Sequence, residues 1–317
     1  MTLKEGWAYH EADENGAWVV TDPTMTALNK FGLLGSNDSS FISNKYSVNA
    51  SYVKQVGNYD TSIHMGNTPN DGISINSGLI NGIPLYWMLG KATESAGVFT
   101  ISNLDGSARK PRIGIRQEID ARYYENYGVT ASNLTLSYAN NALWSNMNAI
   151  GMKNELSTDT SPSYGYISDV LTPFNVLTDM TWDNGVGTPV ELKPTTFKTQ
   201  MRQNLSPFMG EDGYYEEISE FAPIEAMHAM QFLGSEAEAA GMIADFHAKT
   251  SGTFTWKVKK ASNPEHYIEC TGTGNLIDET SVHGRGLETY YNFAIWCTSL
   301  SFEVKDGVDK TLGYQIS

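Results

Sequence analysis

The chain has 317 residues, 40% of them hydrophobic, with 36 acidic against 21 basic side chains and a formal net charge of −15. That apolar content over that length builds a core, which excludes a disordered chain. The acidic excess excludes a nucleic-acid clamp, which needs basic surface to displace phosphate counterions. Seventeen Tyr, twelve Phe and seven Trp favour strands, so the fold is expected to be mainly β.

Residues 1–45 read as an N-terminal arm, broken by Asp13-Glu14-Asn15-Gly16 and by Gly35 to Ser40. Met1 to Trp7 lacks a basic start followed by an apolar stretch, and no apolar run spans a bilayer. The expectation is a soluble protein made in a cytoplasm, with no membrane partner. From Tyr46 to Tyr52 apolar and polar residues alternate, which predicts a strand. Gly78 to Gly90 is apolar, with Pro84 suited to a first helical turn and Gly90 to a stop, which predicts a short buried helix. Val98–Ser102, Arg112–Arg122, Val129–Tyr138 and Leu143–Met152 follow as strands, separated by turn residues such as Asp105-Gly106 and Asn140-Asn141.

Residues 155–217 lose periodicity and read as long loops or an insertion, with strands surviving at Asn175–Trp182 and Thr195–Arg202. Next, Ser235-Glu236-Ala237-Glu238 is a capping box that starts a helix running to Ala248. Ala239, Met242, Ile243 and Phe246 form its apolar stripe, and Asp245 is expected away from that stripe. Ser251–Lys305 then predicts an antiparallel meander of three strands, the first placing Phe254, Trp256 and Val258 on the packed face and Thr255, Lys257 and Lys259 on the other. The second strand is expected over His266–Ile277 and the third over Leu287–Val304. Residues 306–317 are a C-terminal tail. Cys270 and Cys297 are too few for a disulfide scaffold and are expected as reduced core thiols.

No chemistry-bearing motif stands out. There is no GxxxxGK[ST] and no G-x-S-x-G; Gly272-Thr273-Gly274 and Gly284-Arg285-Gly286 read as sheet turns. Glu225-Ala226-Met227-His228 has E-x-x-H spacing but lacks the second copy and the four-helix setting of a di-iron site. The six histidines form no close pair in sequence. The reading is therefore a non-enzyme with no cofactor and no metal, whose business is surface contact with other proteins. A carbohydrate-binding sandwich of lectin or adhesin type and, last, a glycoside hydrolase on a β scaffold are the alternatives.

Several stretches together resemble the major tail tube proteins of tailed viruses. They are the glycine-rich run into a buried segment ending Leu89-Gly90, the paired strands around Tyr127 to Leu136, and the helix and meander from Ser235 to Val304. The resemblance covers residues 46–154 and 218–305. It implies a sandwich of two packed antiparallel sheets with a flanking helix and long loops. It also implies hexameric rings that stack on one another and on other tail proteins, assembled in the host cytoplasm into a virion tail through which DNA passes without specific binding. Under it, Glu155, Asp159, Glu216 and Glu217 are candidates to face the lumen, and Arg109, Lys110, Arg112 and Arg116 to contact a neighbouring subunit. The meander becomes the candidate for the ring's inner or joining sheet.

Overall fold

The computed structural model describes residues 42–46, 50–54, 61–65, 70–119, 122–156, 173–186, 188–210, 215–220, 223–234, 236–283 and 289–308. In chain order the elements begin with β1 (Ile42–Tyr46), β2 (Ala50–Lys54), β3 (Thr61–Met65) and β4 (Asn70–Gly78), followed by helix α1 (Ile83–Leu89). Next come β5 (Ala92–Ser95), β6 (Val98–Ser102), β7 (Ile113–Ile119), β8 (Arg122–Ala139), β9 (Ala142–Gly151) and β10 (Lys153–Leu156). After these are β11 (Val176–Asp183), β12 (Val190–Glu191), β13 (Pro194–Arg202), β14 (Leu205–Met209), β15 (Tyr215–Glu220) and β16 (Glu225–Gly234). Helix α2 (Glu236–Ala248) leads into β17 (Ser251–Lys260), β18 (Asn263–His283) and β19 (Thr289–Lys305). The fold is mainly β.

Fifteen strands belong to one antiparallel sheet whose main path is β1-β4-β9-β8-β13-β16-β19-β18-β17-β11-β12; β14-β15 and β2-β3 are separate hairpins. Three ladder steps separate β16 from β17, about 14 Å in a flat sheet. Yet the His228 ring of β16 stacks on the Phe254 ring of β17 with centroids 4.2 Å apart, and Phe197 of β13 meets Trp256 of β17 at 4.8 Å. The sheet therefore rolls over on itself, and the expected pair of packed sheets is the two halves of one rolled sheet. Phe174 and Asn175 stitch the seam. Leu143 N–H donates to the Phe174 carbonyl at 2.8 Å, Phe174 N–H to Leu79 at 3.0 Å and Asn175 N–H to Lys259 at 2.9 Å.

Local sequence accounts for most elements. Pro84 sits in the first turn of α1, and Gly90 ends it in the left-handed conformation at φ 79°, its N–H donating to the Tyr86 carbonyl at 2.7 Å. The helix is buried over Leu85 to Leu89 and its N-terminus is tied from afar: the Asp306 carboxylate accepts the Gly82 N–H at 2.9 Å. In β17, Phe254, Trp256 and Val258 are fully buried. The other face is tied across strands, with Thr255 hydrogen-bonded to Thr181 at 2.7 Å and Lys257 paired with Glu269 at 2.6 Å.

The predicted meander is present as β17-β18-β19, with β18 running past Ile277 to His283. Of the run Tyr46–Tyr52, Tyr46 lies in β1 and Ala50 to Tyr52 in β2, and residues 47–49 lie outside the described residues. Three expectations change. Strand β8 begins seven residues before Val129, because its first half pairs with β7 and β10 while its second half pairs with β9 and β13. Residues 155–217 carry the two expected strands as β11 and β13, but β13 lies in the middle of the sheet between β8 and β16 rather than in an insertion. Asp245 is not on a water face: it is buried and accepts hydrogen bonds from Trp182 Nε1 and Asn184 Nδ2, both at 2.8 Å. It sits one residue before Phe246 at the edge of the stripe, where a buried indole N–H needs an acceptor. Residues 1–41, Asp159, Ser235 and the C-terminal tail from 309 lie outside the described residues.

Candidate functional site

Two surfaces could carry function, a charged shelf beside the β14-β15 hairpin and the outward face of the main sheet. The shelf contains most of the predicted charged residues. Arg109 is exposed in the loop between β6 and β7. Lys110 is buried, and its ammonium donates to the Ala131 carbonyl; burial lowers its pKa to about 8, against the pull of Glu220. Arg112 is half-buried, donating to the Ile218 carbonyl at 3.0 Å and to Met152 Sδ at 2.9 Å. Burial, joined by repulsion from Arg109, lowers its pKa while Glu220 and Glu217 oppose the shift. Burial raises the Glu220 carboxyl above its ordinary range, and Lys110, Arg112 and Arg109 act in the other direction.

These contacts correct part of the expected assignment. Lys110 is held inside the subunit and cannot serve a neighbour, and Arg112 is committed to its own chain. Glu216 and Glu217 are exposed on β15. Glu217 accepts the Ser219 hydroxyl at 3.2 Å and stands within electrostatic range of Arg112, so two predicted sets of opposite sign meet on one shelf. Glu220, whose role sequence reasoning missed, is the acid shared by Lys110 and Arg112. Arg116 and Glu155 lie elsewhere: register aligns Arg116 of β7, Glu125 of β8 and Glu155 of β10 in one row where β7 and β10 pair with the first half of β8.

The outward face of β8, β13, β16, β19 and β18 is the second surface. Register places Ser137, Lys198, Ala229, Ala294 and Asp278 in one transverse row, one residue from each strand. Above this row lies a groove of about 390 Å³. Its next row holds Thr196, Gln231, Asn292 and Thr280. On the other side, Trp296 is 46% exposed two residues beyond Ala294 on the same face of β19.

Behind that face lies His228, fully buried, its Nδ1 paired with Thr199 Oγ1 at 2.9 Å and its Nε2 without a partner among the described residues. Burial lowers its pKa to about 3, so it is a neutral core imidazole. Glu225 is on the exposed side of the same strand, which separates the two members of the E-x-x-H spacing. Among the described residues no group of three or more His, Cys, Asp or Glu is placed to hold a metal ion, and no helix is long and apolar enough to cross a membrane. The architecture defines the class, a rolled antiparallel β-domain with two separate hairpins. No model of a known protein family and no curated protein matches the sequence.

Proposed function

We propose that the chain is a structural subunit whose copies join sheet edges into hexameric rings, and that the rings stack into the hollow tail tube of a tailed virus through which the genome passes. One observation carries this reading. Strand β18 pairs with β17 only as far as Asn275, while its pairing with β19 continues to His283. Residues 276–283 therefore have a strand partner on one side alone among the described residues, and Ile277, Asp278, Thr280 and Ser281 are exposed. An edge of that length is a template for another strand, and ring closure removes the liability. The charge of −15 suits a conduit for a polyanion, because DNA sliding past an acidic wall exchanges few counterions. Other tail proteins, a virion location and assembly in the host cytoplasm belong to the same proposal.

The test is negative-stain microscopy and sedimentation of the purified chain at rising concentration. Wild-type protein should give hollow rings or tubes of uniform width, and Thr280→Lys combined with Ser281→Lys should stay monomeric, because edge lysines block strand addition. A wild-type chain that remains a monomer, or a lysine variant that assembles as wild type does, overturns the reading.

A further inference from the structure

We infer that the groove on the outward face of β8, β13, β16, β19 and β18 is a binding site for a neutral oligosaccharide. The inference goes beyond the tube reading, sharing with it the β18 residues Ile277, Asp278 and Thr280 and adding the outward faces of β13, β16 and β19. The floor is cut low by two small side chains, Ala229 and Ala294, which are direct cross-strand partners. Lys198 and Asp278 flank these two alanines on either side in that row, three ladder steps or about 14 Å apart. One cation and one anion at the two ends leave the groove with no net charge, which disfavours a phosphate or a polycation. A peptide strand seeks a free sheet edge for its backbone bonds, whereas the floor of this groove on β13, β16 and β19 is mid-sheet, its backbone already committed to the ladder, and only the Asp278 end reaches the free edge of β18.

The wall is an oriented set of amides and hydroxyls. Gln231 Nε2 donates to Asn292 Oδ1 at 2.9 Å, Thr195 Oγ1 donates to Gln231 Oε1 at 3.2 Å, and Asn292 Nδ2 donates to the Thr280 carbonyl at 3.3 Å. These bonds fix both amides, and each side-chain nitrogen has a second N–H beyond the one so used. A sugar offers vicinal hydroxyls that donate and accept, which matches amide N–H groups, a carboxylate and an ammonium in one trough. The C–H face of a pyranose needs an apolar plane, and Trp296 supplies one at the rim. An indole on the surface of a sheet is costly to leave wet, and its exposure marks a contact surface.

A backbone irregularity completes the site. The ladder between β18 and β19 shifts between Leu276 and Asp278, with Leu276 opposite Ile295 and Asp278 opposite Ala294. Ile277 is the extra residue. Without this bulge, strict alternation would set Ile277 opposite Ala294 at the end of the groove and turn Asp278 toward the core. The bulge exchanges an isoleucine for a carboxylate at the one position where a hydrogen-bonding end group is needed.

The experiment screens the purified full chain on an array of immobilised oligosaccharides and measures the retained ones free in solution by calorimetry. Wild-type protein should bind. Ala294→Arg, which fills the trough, should abolish binding, Trp296→Ala should weaken it roughly tenfold, and Glu303→Gln, exposed further along β19, should leave it unchanged, all with unaltered melting temperatures. Retention of no oligosaccharide overturns the inference, as does wild-type affinity in both Ala294→Arg and Trp296→Ala. Sedimentation of the same variants separates the two readings. Should Ala294→Arg block self-association of a chain that binds no glycan, the groove is a contact between copies and the inference fails. Glycan binding by a chain that never assembles overturns the tube alone.

Discussion

His228 makes acid sensitivity a property of one buried ring. The imidazole is fully buried, stacks on Phe254 and leans on Phe197, and burial lowers its pKa from 6.5 to about 3. Unfolding returns it to water, where it binds a proton below about 6.5. Between those values the unfolded chain holds more protons than the folded one, so stability is fully present above pH 6.5 and falls as pH drops towards 3. From pH 7 to pH 4.5 the two values give a loss of about 2.5 kcal/mol from this group alone. The perturbation is His228→Leu paired with Thr199→Val. The second change is required because Thr199 is fully buried and its hydroxyl is the partner of Nδ1 at 2.9 Å; orphaning it would cost about 1–3 kcal/mol at any pH.

Urea unfolding of wild type and the double variant at pH 7 and pH 4.5 isolates the term, because the carboxylates common to both cancel in the difference. Wild type should lose about 2.5 kcal/mol more than the variant over that interval. Equal pH dependence in the two chains would refute the assignment of the ring as a neutral core group.

Asp245→Ala orphans the Trp182 and Asn184 donors, each 2.8 Å from the carboxylate, and should destabilise the chain by about 2–4 kcal/mol in chemical denaturation; Asp245→Asn, which still accepts a bond, should lose less. Gly90 and Gly97 share a positive φ, 79° and 78°, but a Cβ on Gly90 would lie 2.7 Å from the Arg109 carbonyl oxygen whereas one on Gly97 meets nothing within 4 Å. Gly97→Ala should therefore show backbone strain alone, about 1–2 kcal/mol, and Gly90→Ala clearly more; equal losses would remove the steric argument. Cys270 and Cys297 are free, opposite Phe302 and Gly274 rather than each other, and burial raises both thiols, Cys297 to about 12. Iodoacetamide at pH 8 should label neither until denaturant is added, and rapid labelling of native protein would contradict their burial.

What could be read from the sequence was whatever local chemistry decides. Pro84 and Gly90 bracket α1 because a fixed φ and a left-handed stop act within one turn, and alternation in Phe254, Trp256 and Val258 marks β17 because only one face packs. Beyond Ile277 the segment Asp278-Glu279-Thr280-Ser281 carries no alternation, so its strand is visible only through the partner Ala294 to Tyr291 in β19. Asp245 was misread for the same reason. Its acceptor role is set by Trp182, sixty-three residues away on a strand whose position the helix pattern does not encode.

Charge was a still poorer guide to place. Arg109, Lys110 and Arg112 read as one basic patch, but a residue's charge does not state which way its side chain turns, and the fold puts Lys110 inside, Arg112 half inside and Arg109 out. The outward row runs on the opposite logic: Ser137, Lys198, Ala229, Ala294 and Asp278 are unremarkable singly and come from strands up to 157 residues apart, since Ser137 and Ala294 are numbered so. Ser137, Lys198, Ala229 and Ala294 each occupy the outward phase of their own alternation, which predicts exposure and nothing more. Register alone makes them neighbours, and register here depends on one inserted residue, Ile277. A site made of a row across strands is thus invisible to spacing rules, which see along the chain, and becomes legible only when the ladder fixes what lies beside what.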